Sequence, residues 1–177
     1  LHLCDYNLEN INDYENITND TLLVDVCLAA NYEAQSLIPY HDKYKQSNED
    51  SKICTVLARS FADIGDIVRG KDLYIRNKKK DKLEKNLKTI FEKIYDKLDN
   101  NIKSNYNDAP DFFKLREDWW NANRQEIWKA IRCGAPNDAN YFRQTVCSEG
   151  KTATKGKCRC ISGDVPTYFD YVPQYLR

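Results

Sequence analysis

The stretch ARSFADIGDIVRG, from Ala58 to Gly70, decides the fold. Apolar residues recur along it, and along the five residues before it, at the spacing of one face of a helix. These residues are Ile53, Val56, Leu57, Phe61, Ile64, Ile67 and Val68. Gly70 follows them, at a point where a helix often ends on a left-handed residue. The pattern predicts an amphipathic helix that ends at Gly70, with Gly65 allowing a second helix to approach closely.

Three further segments have helical periodicity, and they are residues 21–37, 83–102 and 110–134. Asn19 or Asp20 is available as the N-cap of the first, and Pro39 is expected to end or kink it. The second keeps one apolar stripe over its whole length. Pro110 fits the first position of the last helix, and Gly134 closes that helix.

The last predicted helix carries most of the aromatic core. Its inward-facing residues are predicted to be Phe112, Phe113, Trp119, Trp120, Ile127, Trp128 and Ile131. After Cys133, scattered glycine and proline among polar residues indicate a long loop. Pro173 is expected to open another helix. The fold class is therefore an all-α, disulfide-stapled helical bundle with long irregular loops.

Charge and composition limit the function classes. The 27 basic and 27 acidic residues cancel, so no overall field attracts nucleic acid or an anionic membrane. No apolar run approaches the roughly 20 residues that span a bilayer, and the first residues lack the pattern of a signal peptide. His2 and His41 lie in no catalytic motif, and His41 is expected to be an ordinary surface histidine. We expect neither an enzyme nor a cofactor.

Seven cysteines indicate an oxidising compartment and a disulfide framework. They are Cys4, Cys27, Cys54, Cys133, Cys147, Cys158 and Cys160. The last four could be a four-thiolate zinc site, but zinc sites usually contain paired CxxC motifs and only one CxC occurs here. The two thiols of that CxC are too constrained to bridge each other, so each should have a separate partner. Because seven is odd, we expect the partner of Cys4 to lie in a preceding segment, and the chain to be a fragment cut at both ends.

The order of the sequence motifs resembles a known family. LHLCDYNLENI (Leu1–Ile11), LLVDVCLAANYEAQSL (Leu22–Leu37), ARSFADIGDIVRG, EDWWNANRQEIWKAI (Glu117–Ile131) and PTYFDYVPQYLR (Pro166–Arg177) occur in this order. They resemble the alpha-class Duffy-binding-like domain of the Plasmodium falciparum erythrocyte membrane protein 1 family. The resemblance covers nearly the whole chain.

The resemblance implies a domain division and a disulfide pattern. Residues 1–20 would be the end of a preceding subdomain, and 21–177 a central helical-bundle subdomain truncated at its C-terminus. A bridge from Cys54 to Cys160 is implied by related domains. Cys27 and Cys133, placed on the inner faces of two helices, are then expected to pair. The remaining bridge would join Cys147 to Cys158.

The family also implies a function. This would be a host-cell adhesion module of a variant surface antigen, on the outside of the infected erythrocyte, active in rosetting or cytoadherence. Its expected partners are erythrocyte or endothelial receptors, with heparan sulfate, complement receptor one and blood-group sugars as family possibilities, and host antibodies. The alternative is a structural scaffold and variable antigen domain, whose neighbouring domains carry receptor binding.

The third predicted helix separates its charges. Residues 77–103 contain nine lysines and five acids, a net charge of +4 in a neutral chain. Lys79, Lys82, Lys93 and Lys97 fall on one flank of the apolar stripe, and Asp81, Glu84, Glu92 and Asp99 on the other. The lysine row is a candidate contact for a sulfated glycan, and the alternative is a solvated helix face.

Overall fold

The computed structural model describes residues 4–46, 52–73 and 78–177, the side chains of 78–80 excepted. Its helices are α1 (Tyr6–Glu9), α2 (Asn19–Lys45), α3 (Ile53–Arg69), α4 (Lys78–Asp96), α5 (Asn100–Lys103) and α6 (Phe113–Ile131). A long loop then leads to two 3₁₀ turns, Phe169–Tyr171 and Gln174–Leu176. Within these described ranges no strand forms, and two disulfides tie the loop down. The predicted stapled all-α fold is confirmed.

Helix α3 lies at the centre of the bundle, in contact with α2 and α6. Phe61 of α3 packs between two tryptophans of α6, with ring centroids 5.0 Å from Trp120 and 5.3 Å from Trp128. Gly65 lies directly against the indole of Trp120. A Cβ at this position would be 2.7 Å from Trp120 Cζ2. Gly70 ends the helix with a φ of 70°, as predicted. The segment ARSFADIGDIVRG is therefore part of the central core helix, α3.

The other helix bounds differ from the predictions for local reasons. Helix α2 begins after Thr18, which caps it, and runs through Pro39 to Lys45. Pro39 is exposed, so the carbonyl that its missing N–H leaves unpaired can bond to water. The predicted third helix is split, since α5 starts anew with Asp99 as its N-cap.

The sixth helix also starts later than predicted. It begins at Phe113, three residues after Pro110, which lies in the preceding turn. Phe112 has a left-handed backbone and is buried, packing against Tyr95 at 5.0 Å between centroids. Phe113 is 47% exposed, so its predicted place in the core is wrong. The three tryptophans are buried, as predicted.

The disulfides use the predicted loop cysteines in a different pairing. Cys54 bonds to Cys158, and Cys147 bonds to Cys160. The predicted bridges Cys54–Cys160 and Cys147–Cys158 are therefore wrong. The inference that the two thiols of the CxC reach separate partners is confirmed.

The backbone around Cys158 explains the exchange of partners. Lys157 and Cys158 both have left-handed φ values, 55° and 53°. Trp128 donates its indole N–H to the Cys158 carbonyl at 3.3 Å, and the Cys158 N–H donates to the Ala139 carbonyl at 2.9 Å. These bonds hold Cys158 over the core beside α3, while Cys160 turns back to Cys147 within the loop.

The predicted Cys27–Cys133 bridge is also wrong, since both thiols are free. The two helices contact each other in the wrong register for it. Cys27 is close enough to Glu126 for that carboxylate to act on its thiol, and Ile38 lies beside Gly134. Cys133 is therefore level with Ile38, roughly 10 Å along α6 from the level of Cys27, beyond disulfide reach.

The N-terminal segment packs on the same core as the helices. Leu8 and Ile17 are 2% and 3% exposed, and α1 contacts both α2 and α4. Asn86 of α4 donates to the Glu9 carbonyl at 2.7 Å. A subdomain division at residue 20 stays a prediction.

Gly65→Ala should destabilise the fold. The new Cβ would meet the fully buried Trp120 indole at 2.7 Å, so the packing between α3 and α6 would have to shift. We expect a loss of about 1–3 kcal/mol in the free energy of unfolding, measured by urea denaturation. Gly134→Ala is the control, because it meets only the flexible end of Ile38 at 3.3 Å. Equal stabilities for both variants would contradict the close packing at Gly65.

Peptide mapping without reduction should recover Cys54 linked to Cys158, and Cys147 linked to Cys160. Alkylation of the unreduced protein should label Cys133 fastest because it is exposed. Cys27 should react slowly, because burial, and then Glu126, raises its pKa to about 11. Recovery of a Cys54–Cys160 peptide would contradict the loop geometry.

Candidate binding surfaces

Arg69 of α3 forms hydrogen bonds within the core. Arg69 is 1% exposed and donates to the Gly65 carbonyl at 3.0 Å, to Asp66 at 3.2 Å and to Glu117 at 3.1 Å. It also donates to the Asp170 carbonyl. A buried guanidinium with four acceptors cannot contact a ligand. The Asp66–Arg69 ion pair, three residues apart on α3, is itself buried.

Asp170 is the acceptor at the centre of this network. Its side chain is fully buried, and it receives the Trp120 indole N–H at 2.8 Å. Arg124 binds it in a bidentate arrangement at 2.7 and 2.8 Å and also donates to the Thr167 carbonyl at 2.8 Å. Bidentate guanidinium–carboxylate pairs are among the stronger hydrogen-bonded contacts in proteins. Asp170 thus fixes the end of the chain against α6.

Arg177 attaches the same segment to α3. It donates to Asp63 at 2.7 Å and to Asp66, and to the carbonyls of Phe169 and Val172 at 3.0 and 2.9 Å. Asp66 therefore accepts from both Arg69 and Arg177. Burial raises the pKa of Asp66 in spite of its hydrogen bond from Arg177, so desolvation outweighs the ion pair.

Arg116 joins three helices. It is fully buried and donates to the carbonyls of Ile67 and Val68, at 3.1 and 2.6 Å, in the last turn of α3. Both oxygens of Glu84, on α4, accept from it at 2.8 and 2.9 Å. Cations at the C-terminal end of a helix are stabilising. Glu84 is therefore part of the frame, not of a free acidic flank.

The structure separates the predicted lysine row into two parts. Lys82 is exposed near the start of α4, and Lys93 lies three turns along the helix, about 16 Å away. The side chain of Lys79 is outside the described residues. Lys82 therefore does not form one compact patch with Lys93 and Lys97.

The two lysines at the far end of the row already have protein partners. Lys97 donates to the carbonyls of Glu15 and Ile17 at 3.0 and 2.7 Å. Lys93 lies 3.7 Å from the Glu15 carboxylate. Lys97 therefore anchors the segment before α2, a role that charge patterning alone could not show.

Candidate catalytic groups have structural surroundings. His41 is 5% exposed, so its prediction as a surface histidine is wrong. Cys147, Cys158 and Cys160 are consumed in disulfides, which rules out the four-thiolate zinc alternative. Among the described residues no cluster of three histidine, cysteine or acidic side chains could hold a metal. No described helix is long and apolar enough to cross a bilayer.

A helical bundle stapled by two disulfides is the class of protein that the fold defines, and the comparisons identify the family. The Duffy binding domain model matches residues 1–177. The chain belongs to the Duffy binding domain family, a family of adhesion domains and not of enzymes. The resemblance stated from the sequence is confirmed. No curated protein matches the chain.

Solved structures of the same family share the fold. The NTS-DBL1(alpha-1) domain of PfEMP1 from the Plasmodium falciparum varO strain is 43% identical, with a TM-score of 0.82. A DBL1-alpha and CIDR-gamma double domain from that strain is 43% identical with a TM-score of 0.83, and a DBLb domain of PfEMP1 bound to human ICAM-1 is 34% identical with 0.73. Each similarity covers 99% of this chain but only 40%, 25% and 36% of those chains.

Asp170→Asn should be strongly destabilising. The amide keeps the shape of the side chain but removes the charge that compensates the partly buried Arg124. We expect a loss of about 3–5 kcal/mol in the free energy of unfolding, measured with urea. Asp164→Asn, at an exposed carboxylate that accepts from Ser162 at 2.6 Å, should cost less than about 1 kcal/mol. Similar losses would contradict the central role of Asp170.

Proposed function

We propose that this chain is part of an adhesion domain that binds receptors or sulfated glycans on host cells. The observation that carries the proposal is membership of the Duffy binding domain family along the whole chain. Relatives that share its fold at 34% identity are described as bound to human ICAM-1 or as ICAM-1-binding. Presentation on the surface of the infected erythrocyte, in rosetting or cytoadherence, is part of the same proposal.

The architecture suits binding better than chemistry. Asp66, Arg124, Asp170 and Arg177 are used in the buried network around Asp170, so these charged groups are unavailable for catalysis. Exposed positions on the helices and the loop remain for contacts with a partner. We also propose that residues 21–177 are the central subdomain and 1–20 the end of the preceding one.

A glycan contact on α4 is the finer part of the proposal. Lys82 is free of ion pairs among the described residues, and Lys93 has only a long contact of 3.7 Å to Glu15. Lys97 is held by two carbonyls and would contribute its charge without moving. Lys79 completes the proposed row from the sequence.

A scaffold role is the second candidate function. It is favoured by the extent of the chain, which spans 40% or less of the first three relatives. In that case neighbouring domains bind the receptor, and this module carries variable surface positions. Binding of the isolated 177-residue chain to host erythrocytes or endothelial cells decides between the two candidates. Saturable binding supports adhesion, and its absence together with binding by a longer relative supports the scaffold.

Changing Lys82 and Lys93 to Glu should weaken retention on immobilised heparin. The contact is electrostatic, so retention should fall steeply with added salt. The thermal midpoint should hardly change, since exposed charges contribute roughly 0–1 kcal/mol to stability. Lys43→Glu with Lys45→Glu, at exposed positions on α2, is the control of equal charge. Identical elution of the two double variants would exclude a specific glycan contact on α4.

A further inference from the structure

The end of α6 and the loop that follows it contain several cations that form no ion pair within the described residues. Residues 129–160 contain seven lysines and arginines and two acids, a net charge of +5 in a neutral chain. Lys129 pairs with Glu126 at 2.6 Å and Lys151 with Glu149 at 3.8 Å. The other five, with Arg59 of α3, form no ion pair within the described part of the chain. We call these six the basic loop surface: Arg59, Arg132, Arg143, Lys155, Lys157 and Arg159.

Two of these arginines are neighbours because of how the loop folds back. Arg132 directly follows α6, and Trp128, one turn earlier, bonds to the carbonyl of Cys158. Arg159 is the next residue, and its carbonyl accepts from the Lys155 N–H at 2.7 Å. Burial, and then the charge of Arg159, holds the pKa of Arg132 below its ordinary value. Because Arg132 is four residues after Trp128 and Arg159 directly follows Cys158, the hydrogen bond between Trp128 and Cys158 brings the two arginines to the same region.

A second pair flanks a buried tyrosine. Arg59 and Arg143 are both exposed and both act electrostatically on the Tyr141 hydroxyl, whose pKa is raised mainly by burial. The Arg143 guanidinium lies 5.9 Å from the ring centroid of Phe142, which is half exposed. Arg59 of α3 and Arg143 of the loop are therefore both near the buried Tyr141 side chain.

The disulfides make this arrangement rigid. Cys54–Cys158 ties the loop to α3, and Cys147–Cys160 closes the loop on itself. Like charges held together destabilise the fold, and a bound polyanion would remove that repulsion. Because the groups are held in place beforehand, binding would cost little conformational entropy. Arginine also forms bidentate hydrogen bonds with anionic oxygens.

We propose that the basic loop surface is a binding site for a sulfated glycan chain, separate from the lysines of α4. The inference rests on the proposed adhesion to host-cell glycans and gives that adhesion a second location. It assigns the central contacts to Arg132 and Arg159. Sulfate groups, spaced along a chain, match a row of cations better than a single anion does.

The test is the affinity of the 177-residue chain for a heparin oligosaccharide. Arg132→Ala with Arg159→Ala should weaken binding about tenfold, equivalent to about 1.4 kcal/mol, and should reduce its dependence on salt. Lys129→Ala with Lys151→Ala removes the same charge from the same segment, but at residues that are already paired. That control should bind as wild type does. Unchanged binding by the arginine variant, or an equal loss in the control, would overturn the proposal.

Two further arms separate this site from its alternatives. If only the Lys82→Glu and Lys93→Glu variant loses heparin binding, the proposed function stands and the loop site is wrong. If wild type binds neither heparin nor host cells, the proposed function itself fails. Vesicles containing phosphatidylserine test a membrane surface as the polyanion. Tighter, arginine-dependent binding to vesicles than to heparin would overturn the glycan assignment.

Discussion

The buried carboxylate of Asp170 is the constraint on which the rest of the structure depends. This carboxylate neutralises Arg124 and accepts a hydrogen bond from the indole N–H of Trp120. The backbone carbonyl of Asp170 accepts a hydrogen bond from Arg69. Unpaired, each of these groups would carry a large desolvation cost. Their mutual satisfaction joins the end of the chain to α3 and α6, and aligns the aromatic core around Phe61.

This frame separates stability from recognition. Arg69, Arg116 and Arg124 are buried or largely buried. They donate hydrogen bonds to carbonyls and carboxylates of the core. Lys82 of α4 and the basic loop surface lie outside this frame. Substitution there should leave the frame intact. Disulfides replace regular structure in the loop, so its exposed side chains can differ without loss of the backbone path.

The sequence predicted what local patterns determine and missed what long-range geometry decides. Helical periodicity and the left-handed Gly70 located α3, and the tryptophans were correctly assigned to the core. The partner of Cys158 depends on a loop path set by distant hydrogen bonds, which spacing cannot reveal. Lys97 looked like a surface charge because its carbonyl partners are about 80 residues away. Arg132 and Arg159 had a signal in the sequence, the net charge of +5 over residues 129–160. A search for helical periodicity does not detect it.

Hydrogen exchange at the Trp120 indole N–H tests the central claim most directly. Exchange of this proton requires opening of the whole bundle, because Trp120 Nε1 lies in the core, 2.8 Å from the Asp170 carboxylate oxygen that accepts its hydrogen bond. The account predicts that the indole proton exchanges as slowly as the most protected amides of α3. It also predicts that its exchange accelerates with denaturant in parallel with global unfolding. Fast exchange, independent of denaturant, while the α3 amides stay protected would contradict the claim that Asp170 holds the fold together.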